Sequence, residues 1–532
     1  MQLSRQNFHN YAYFVSLIII AISLPYSKFS LSIGVILLVI NWLLSFQWKK
    51  KWAMFKKNSA VLFFVIFYLV HLAGILYSTD KSFAFNQLRI KMPLLFLPVV
   101  MATTEKIQPL AIKSILLLFV AAVFSNTLIS SAYIFNFLPV KISDYRDASL
   151  FISHIRFSLM LLLALSIIWY FFRKEKTCIP LRMVYFIVFL WLIFYLFLFK
   201  VLTGIFLFFI LLFSIIVREI ILCNSMVKKT YILCGAILLL LAISFMLWNF
   251  WQRYNKTYDD TLPLESHSPS GHFYYHDTTS KIRENGYYVW RYYCEPEMAA
   301  AWARRSKIHI DSLDAKGQYI RYTLIRYLTS KGLRKDSSGI AQLSDTDVSL
   351  VEAGCPNHIF SSTMALYPRF YELFWQIDCY VNGQQPSGHS VTLRIVYLKT
   401  ALRIIREHFW TGVGTGDLQL AFNKEYEKSY PLLEQRYRLR AHNQFVTLMV
   451  AFGLPLGLLL IVCLVVPAWQ KKAFSSFLFF CFFVIGFGSM LNEDTLETHI
   501  GVCFFAFFYA LLLYASGDDE QKLKEGVVIQ GS

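Results

Sequence analysis

The chain has 532 residues, 56% hydrophobic and 17% aromatic but only 16% charged, with a mean hydropathy of +0.49. A soluble protein of this length needs more charge than that to cover its surface, so the composition points to a polytopic membrane protein. The formal net charge of +18 is accounted for by basic cytoplasmic loops that fix orientation, ahead of any affinity for nucleic acid.

A spanning helix needs roughly 20 mostly apolar residues. Segments of that kind are predicted at about 10–25, 30–47, 59–77, 92–104, 112–135, 151–172, 183–199, 202–222, 230–250, 442–467, 474–491 and 498–515, about twelve in all. The first is followed by Pro25-Tyr-Ser-Lys28 and a second apolar run, so it reads as a transmembrane helix and not a cleaved leader. The fourth carries Pro93 and Pro98 and reads as short, re-entrant or broken.

Basic clusters at Lys49–Lys51 with Lys56 and Lys57, at Arg173–Lys176 with Arg182, at Lys228–Lys229 and at Lys471–Lys472 mark cytoplasmic loops. Threading the spans through them puts both termini in the cytoplasm. The predicted organisation is a transmembrane region over 1–250 with about nine spans, then a periplasmic loop domain over 251–441. Three more spans follow over 442–515, and a cytoplasmic tail over 516–532. The loop domain is rich in Tyr, His, Ser and Gly, with helical patterns at 298–308, 320–329 and 390–408. The last has an amphipathic face made of Val391, Leu393, Val396, Leu398, Ala401, Leu402 and Ile405.

Six of nine cysteines lie in or beside apolar segments and act as small hydrophobes. Cys294, Cys355 and Cys379 lie in the loop domain, where one disulfide with one thiol left over is compatible with an oxidising compartment. The spacing assigns no pair, and no zinc-ligand spacing occurs.

Candidate chemistry gathers on the periplasmic side. His442 stands where the polar segment gives way to apolar helix, just after Arg436, Arg438 and Arg440. An imidazole there suits a base that takes a proton from an attacking hydroxyl. Arg156, beside His154 at the start of a span, is costly in a membrane helix unless it functions or snorkels to the interface. Lys200, in a tight hairpin, invites the same two readings. Arg394 opens the 390–408 helix, and its guanidinium suits bidentate grip of a pyrophosphate. Lys399, Arg403 and Arg406 share a face that reads as solvated or facing lipid headgroups.

Gly412-Val-Gly-Thr-Gly-Asp417 has glycines like a phosphate loop but lacks the Lys-Ser/Thr ending, so it reads as a tight turn. Glu493, Asp494, Glu497 and His499 could bind a cation, but such a short acidic cluster more often holds a loop out of the membrane.

Several stretches together resemble the O-antigen ligase and polymerase family. They are Ser390-Val-Thr-Leu-Arg394, Glu407-His-Phe-Trp-Thr-Gly-Val-Gly-Thr-Gly-Asp417, Ala441-His-Asn-Gln-Phe445, Phe452-Gly-Leu-Pro-Leu-Gly457 and Asn492-Glu-Asp-Thr-Leu-Glu-Thr498. The resemblance implies an all-α fold with GT-C-like glycosyltransferase architecture in the bacterial inner membrane, its active site facing the periplasm. It implies a metal-independent, inverting transfer of a glycan from undecaprenyl pyrophosphate to a saccharide hydroxyl, with lipid A-core as the expected acceptor and no cofactor. By the same resemblance His442 activates the acceptor and Arg394 holds the pyrophosphate, with Arg156, Lys200 and Arg440 as further cationic candidates. A second family arginine normally stands in a Ser-Arg-Thr-Gly-like motif. This chain has Val201-Leu-Thr-Gly204, with Leu202 in the arginine's place, so Lys200 or Arg156 must supply that charge or the site differs.

Ligases and polymerases share these motifs, and transfer to protein Ser or Thr uses the same chemistry. A transporter or a sensor with a periplasmic binding domain is the alternative from another class. It fits less well, because the ionisable residues gather at one face and no repeated halves are visible.

Overall fold

The computed structural model describes residues 5–135, 137, 149–199, 201–258, 263–362, 366–383 and 388–515. Helix dominates these residues, and the strands among them are the antiparallel pair Arg283–Glu284 and Tyr287–Tyr288. Two compact units result, Met1–Leu222 with Leu393–Ser532 and Cys223–Thr392.

The first unit opens with α1 (Arg5–Ser23), α2 (Lys28–Leu44), α3 (Trp48–Lys57), α4 (Leu62–Ala73) and α5 (Lys81–Ala102). It continues with α6 (Pro109–Ile134), α7 (His154–Lys174), α8 (Ile179–Leu198) and α9 (Leu202–Leu222). The second unit holds α10 (Met226–Asn255), α11 (Glu295–Arg305), α12 (Ile320–Ser330), α13 (Ser337–Ala341), α14 (Asp345–Glu352) and α15 (Tyr367–Val381). After α16 (Ser390–Glu407) the first unit resumes with α17 (Leu418–Ser429), α18 (Gln444–Gln470), α19 (Phe477–Met490) and α20 (His499–Ala510).

Among the described residues, seven helices are long and apolar enough to cross a membrane, or up to eight if a sharply bent pair is one span. Three shorter apolar helices, Ser59–Ala73, Phe477–Met490 and His499–Ala515, accompany them. The protein is an all-α, multi-pass membrane protein, and each of the twelve predicted segments contains or overlaps a helix.

The fourth segment corrects its expectation. It is one continuous helix of 22 residues with both prolines inside, neither short nor broken, and it starts at Lys81 instead of near Met92. Asp80 caps it by accepting a hydrogen bond from the Phe83 N–H at 2.8 Å. Lys81, Arg89 and Lys91 in its first three turns lower the local hydropathy, which hides this part from an apolar-run reading. Inside the bundle α5 packs against α20 and α4, which supplies the surroundings in which a proline helix is tolerated.

The bundle core centres on α7, 78% buried over its apolar window and packed against α6, α8, α9 and α19. Gly204 lets α9 approach α7 closely, since a Cβ there would lie 2.8 Å from the Ser158 Cβ. In α18 the helix breaks at Gly453, whose φ of 74° suits glycine far better than other residues. On α16 the buried face is Leu393, Val396, Tyr397, Ala401, Ile404 and Ile405, while Leu398 and Leu402 are exposed. The predicted stripe is thus rotated by about one position, because Tyr397 and Ile404 pack inward.

The second unit has its own core, built around Trp302, Leu324, Ile325, Leu328 and Val351. The helices predicted at 298–308 and 320–329 are α11 and α12. Cys294, Cys355 and Cys379 are buried free thiols, so the disulfide left open by the sequence is not formed. Buried Glu284 accepts hydrogen bonds from Arg326, Asn357 and Tyr371. These partners offset the burial that raises its carboxyl pKa.

Candidate active site

The site is built at one end of the first unit, where α18 begins. Asn443 caps that helix, accepting from the Val446 N–H at 3.1 Å and donating to the Leu491 carbonyl at 2.9 Å. The same side chain therefore ties the helix start to the loop between α19 and α20. The preceding residue, His442, has a left-handed backbone with φ of 48°. For a non-glycine residue this is uncommon, and it is found most often where function imposes geometry.

The His442 ring stacks on Tyr397 of α16, with centroids 5.5 Å apart and planes at 22°. Its Nδ1 lies 3.4 Å from Glu493 Oε2, and the side chain is 27% exposed. Glu493 is 4% exposed and collects two arginines besides. Arg394, one helical turn before Tyr397, donates to Oε1 at 2.8 Å. Arg156, in the first turn of α7, donates to Oε2 at 3.3 Å and also reaches the Asp494 carbonyl and Thr498 Oγ1.

A second layer lies behind. Glu497 takes Arg440 on Oε2 at 3.0 Å and Lys91 on Oε1 at 2.9 Å. Gln444 donates to Glu497 Oε1 at 3.2 Å while its own carbonyl accepts from the Leu496 N–H at 2.7 Å. Thr447 donates to Asp494 Oδ1 at 2.7 Å. Every acidic side chain of the loop is thus held by a cation or a hydroxyl.

The electrostatics follow from this pairing. Burial alone would raise the Glu493 carboxyl, but the hydrogen bond and charge of His442 and the charges of Arg156 and Arg394 outweigh it. They hold it at about 2. Burial is opposed in the same way at Glu497 by Lys91 and Arg440, and its carboxyl also lies at about 2. At Asp494 burial prevails over Arg440 and Thr447, and the pKa is raised.

Of the residues singled out from the sequence, His442, Arg394 and Arg156 therefore meet at Glu493, and Arg440 pairs with Glu497 one layer away. Lys200 lies outside the described residues. Leu202 opens α9, and the next residue, Thr203, accepts a hydrogen bond from Asn492 Nδ2 at 3.3 Å. The segment lacking the family arginine thus abuts the acidic loop. The close α7–α9 approach at Gly204 sets Arg156 beside it.

Lys91, Gln444, Thr447 and Tyr397 were not foreseen as part of this cluster. Only Lys91 carried a signal, as an ionisable residue leading into an apolar run. The reading of Glu493, Asp494, Glu497 and His499 as cation ligands does not fit. Among the described residues no three His, Cys, Asp or Glu side chains are arranged to hold a metal. His499 faces Cys503 instead, at 3.7 Å. On the basic stripe of α16, Arg403 pairs with Glu425 at 3.4 Å.

The glycine-rich loop is structural. Val413 and Gly414 donate to the Val450 and Ala451 carbonyls at 3.0 and 2.8 Å, just before the break at Gly453, and Leu454 donates to Phe409 across it. Asp417 accepts from the Thr79 and Asp80 N–H groups and from the Thr79 hydroxyl, all within 2.9 Å. The loop therefore clamps the α4–α5 hairpin to α18.

An all-α membrane protein with a cation-lined histidine at the mouth of its bundle is the class that fold and site define. Within it, residues 356–462 match the family model described as O-antigen ligase. Over that segment the chain is similar to the O-antigen ligase family, the one its motifs resemble. The matched segment contains Arg394, Arg440 and His442, whereas Lys91, Arg156 and the acidic loop lie outside it. No curated protein matches the chain.

Proposed function

We propose that this protein moves a glycan from undecaprenyl pyrophosphate to an acceptor hydroxyl at the periplasmic face of the inner membrane, as an O-antigen ligase acting on lipid A-core. The observation that carries the reading is the meeting of His442, Arg394 and Arg156 at one buried carboxylate, beside the start of an apolar helix.

The chemistry needs little more. With Nδ1 turned to Glu493, the imidazole presents Nε2 to an incoming hydroxyl. The acceptor oxygen forms a bond to the anomeric carbon and gives its proton to Nε2, while the bond from that carbon to the pyrophosphate oxygen breaks. Undecaprenyl pyrophosphate leaves with the bonding electron pair. Arg394 and Arg156 neutralise the charge that grows on it, the part of the reaction where fixed cations lower the barrier most. A single displacement of this kind inverts the anomeric centre. Glu493 holds the imidazole in the orientation that makes Nε2 the base, and Lys91 with Arg440 fixes the loop through Glu497.

Twelve spans with both termini in the cytoplasm, and a periplasmic domain over 251–441 that recognises the acceptor, belong to the same reading.

The test is the surface glycan of a deletion strain. Loss of long glycan from lipid A with lipid-linked polymer retained supports the ligase. Accumulation of single repeat units means a polymerase, and a change confined to glycoproteins means transfer to protein.

A further inference from the structure

The basic segment between the second and third predicted spans reads from sequence as a cytoplasmic loop, yet it forms helix α3, bent by 113° from α2. Phe46 and Gln47 make the elbow in left-handed conformations, with φ of 56° and 30°. If α2 crosses the bilayer, a helix bent that far from it lies close to the membrane plane.

The side chains of α3 are sorted for such a position. At ~100° per residue, Trp48, Trp52 and Phe55 fall in one row, with Lys49 and Lys56 along one flank and Lys51 and Met54 on the other. Lys51 faces the protein. It is 7% exposed, lies 4.7 Å from the Trp42 ring and 4.5 Å from the Trp48 ring, and donates to the Trp42 carbonyl. Trp48 and Trp52 are 49% and 58% exposed. Trp52 stacks on Phe55 at 5.6 Å, and Lys56 lies 5.4 Å from the Trp52 ring. Lys50 is taken by Glu105.

The end of the bundle is also fixed. Asn58 closes α3, donating to the Ala102 carbonyl at 2.9 Å and accepting from Lys471 at 2.8 Å. Lys471 follows α18, whose other end carries the site, so α3 lies at the end of the unit away from the acidic loop. Trp469, 72% exposed, sits at the same end. Indole rings at headgroup depth with ammonium groups beside them match the interface of a bilayer that carries anionic lipid.

We propose that α3 is an in-plane helix that binds anionic phospholipid headgroups through Lys49 and Lys56, in the leaflet opposite the acidic loop. The contact sets the depth of α4 and α5, which follow it and carry His71 and Lys91. The proposal stands independently of the glycosyl-transfer reading.

The test uses the full-length protein in nanodiscs of equal phosphatidylglycerol and phosphatidylcholine, with retained lipid counted by native mass spectrometry. The unaltered protein retains phosphatidylglycerol preferentially, and the preference falls as salt is raised. The double variant Lys49→Gln/Lys56→Gln lowers it by about five-fold per lysine. Lys228→Gln/Lys229→Gln, which removes equal charge elsewhere, leaves it in place. Equal retention by the Lys49/Lys56 variant and the unaltered protein overturns the proposal. So does an equal loss in the Lys228/Lys229 control, or a preference insensitive to salt in the unaltered protein.

Discussion

The Lys91 ammonium lies 2.9 Å from Glu497 Oε1, and both side chains are 2% exposed. Glu497 also holds Arg440 through its other oxygen at 3.0 Å. One carboxylate therefore fastens α5 and the residues before α18 to the loop before α20. Removing one partner of a buried pair leaves an uncompensated charge, which typically costs about 3–5 kcal/mol. Lys91→Met is expected to lower the thermal unfolding midpoint of the solubilised protein, and Glu497→Gln to do likewise. The double variant should lose less than the sum of the two, by more than about 0.5 kcal/mol. Strict additivity would mean that the pair does not act as a unit.

Glu493 should serve as a permanently ionised partner of His442. Its folded pKa of about 2 lies below the ordinary 4.5, so the stability it contributes is complete above about 4.5 and is lost as pH falls through about 2. Glu493→Gln is therefore expected to reduce transfer, because the imidazole loses the carboxylate that orients it. Between pH 4.5 and pH 2 the unaltered protein should lose stability more steeply than the variant. His442→Ala should cost about 10²–10⁴ in rate in a glycan-transfer assay. Undiminished transfer by Glu493→Gln would contradict this assignment.

The arginines divide by geometry. Arg394 meets Glu493 at 2.8 Å with a side chain 29% exposed, and Arg156 meets it at 3.3 Å with 11%. Loss of a fixed cation facing the leaving group costs about 10²–10³ in rate. Arg394→Ala is expected to lose that much. Arg394→Lys should recover only part of it, because an ammonium keeps the charge but not the planar fork. Single-turnover transfer with a lipid-linked donor measures this. Full activity in Arg394→Lys would reduce the role to simple charge.

Much of the helical plan was legible because apolar runs of spanning length leave few alternatives to helix in a membrane. The junction histidine and Arg394 were legible for a related reason, since polar groups at an apolar boundary stand out. What escaped was contact between distant parts of the chain. Lys91 and Glu497 are separated by 406 positions, and no local pattern announces that they meet. The lysines of α5 disguised its first turns as loop, and a basic run between two spans disguised α3 in the same way. Arg156 could be offered in place of the residue missing at Leu202, but the close packing of α9 on α7 at Gly204 needed the fold.

The glycine-rich loop gives the last test, because its sequence suggests phosphate while its hydrogen bonds suggest a clamp. Asp417 accepts from Thr79 and Asp80 at 2.8–2.9 Å, and hydrogen bonds to a charged group contribute about 1.5–3 kcal/mol each. At Gly453 a Cβ would lie 2.5 Å from the Trp410 carbonyl carbon, on a backbone with φ of 74°, so alanine adds a steric clash to strain of about 1–3 kcal/mol. Asp417→Ala and Gly453→Ala are therefore both expected to lower the unfolding midpoint by several degrees. The apparent KM for the lipid-linked donor should stay unchanged at a temperature where each variant remains folded. A rise in that KM with the midpoint unmoved would give the loop to the substrate instead, since a clamp acts through stability and a phosphate cradle through affinity.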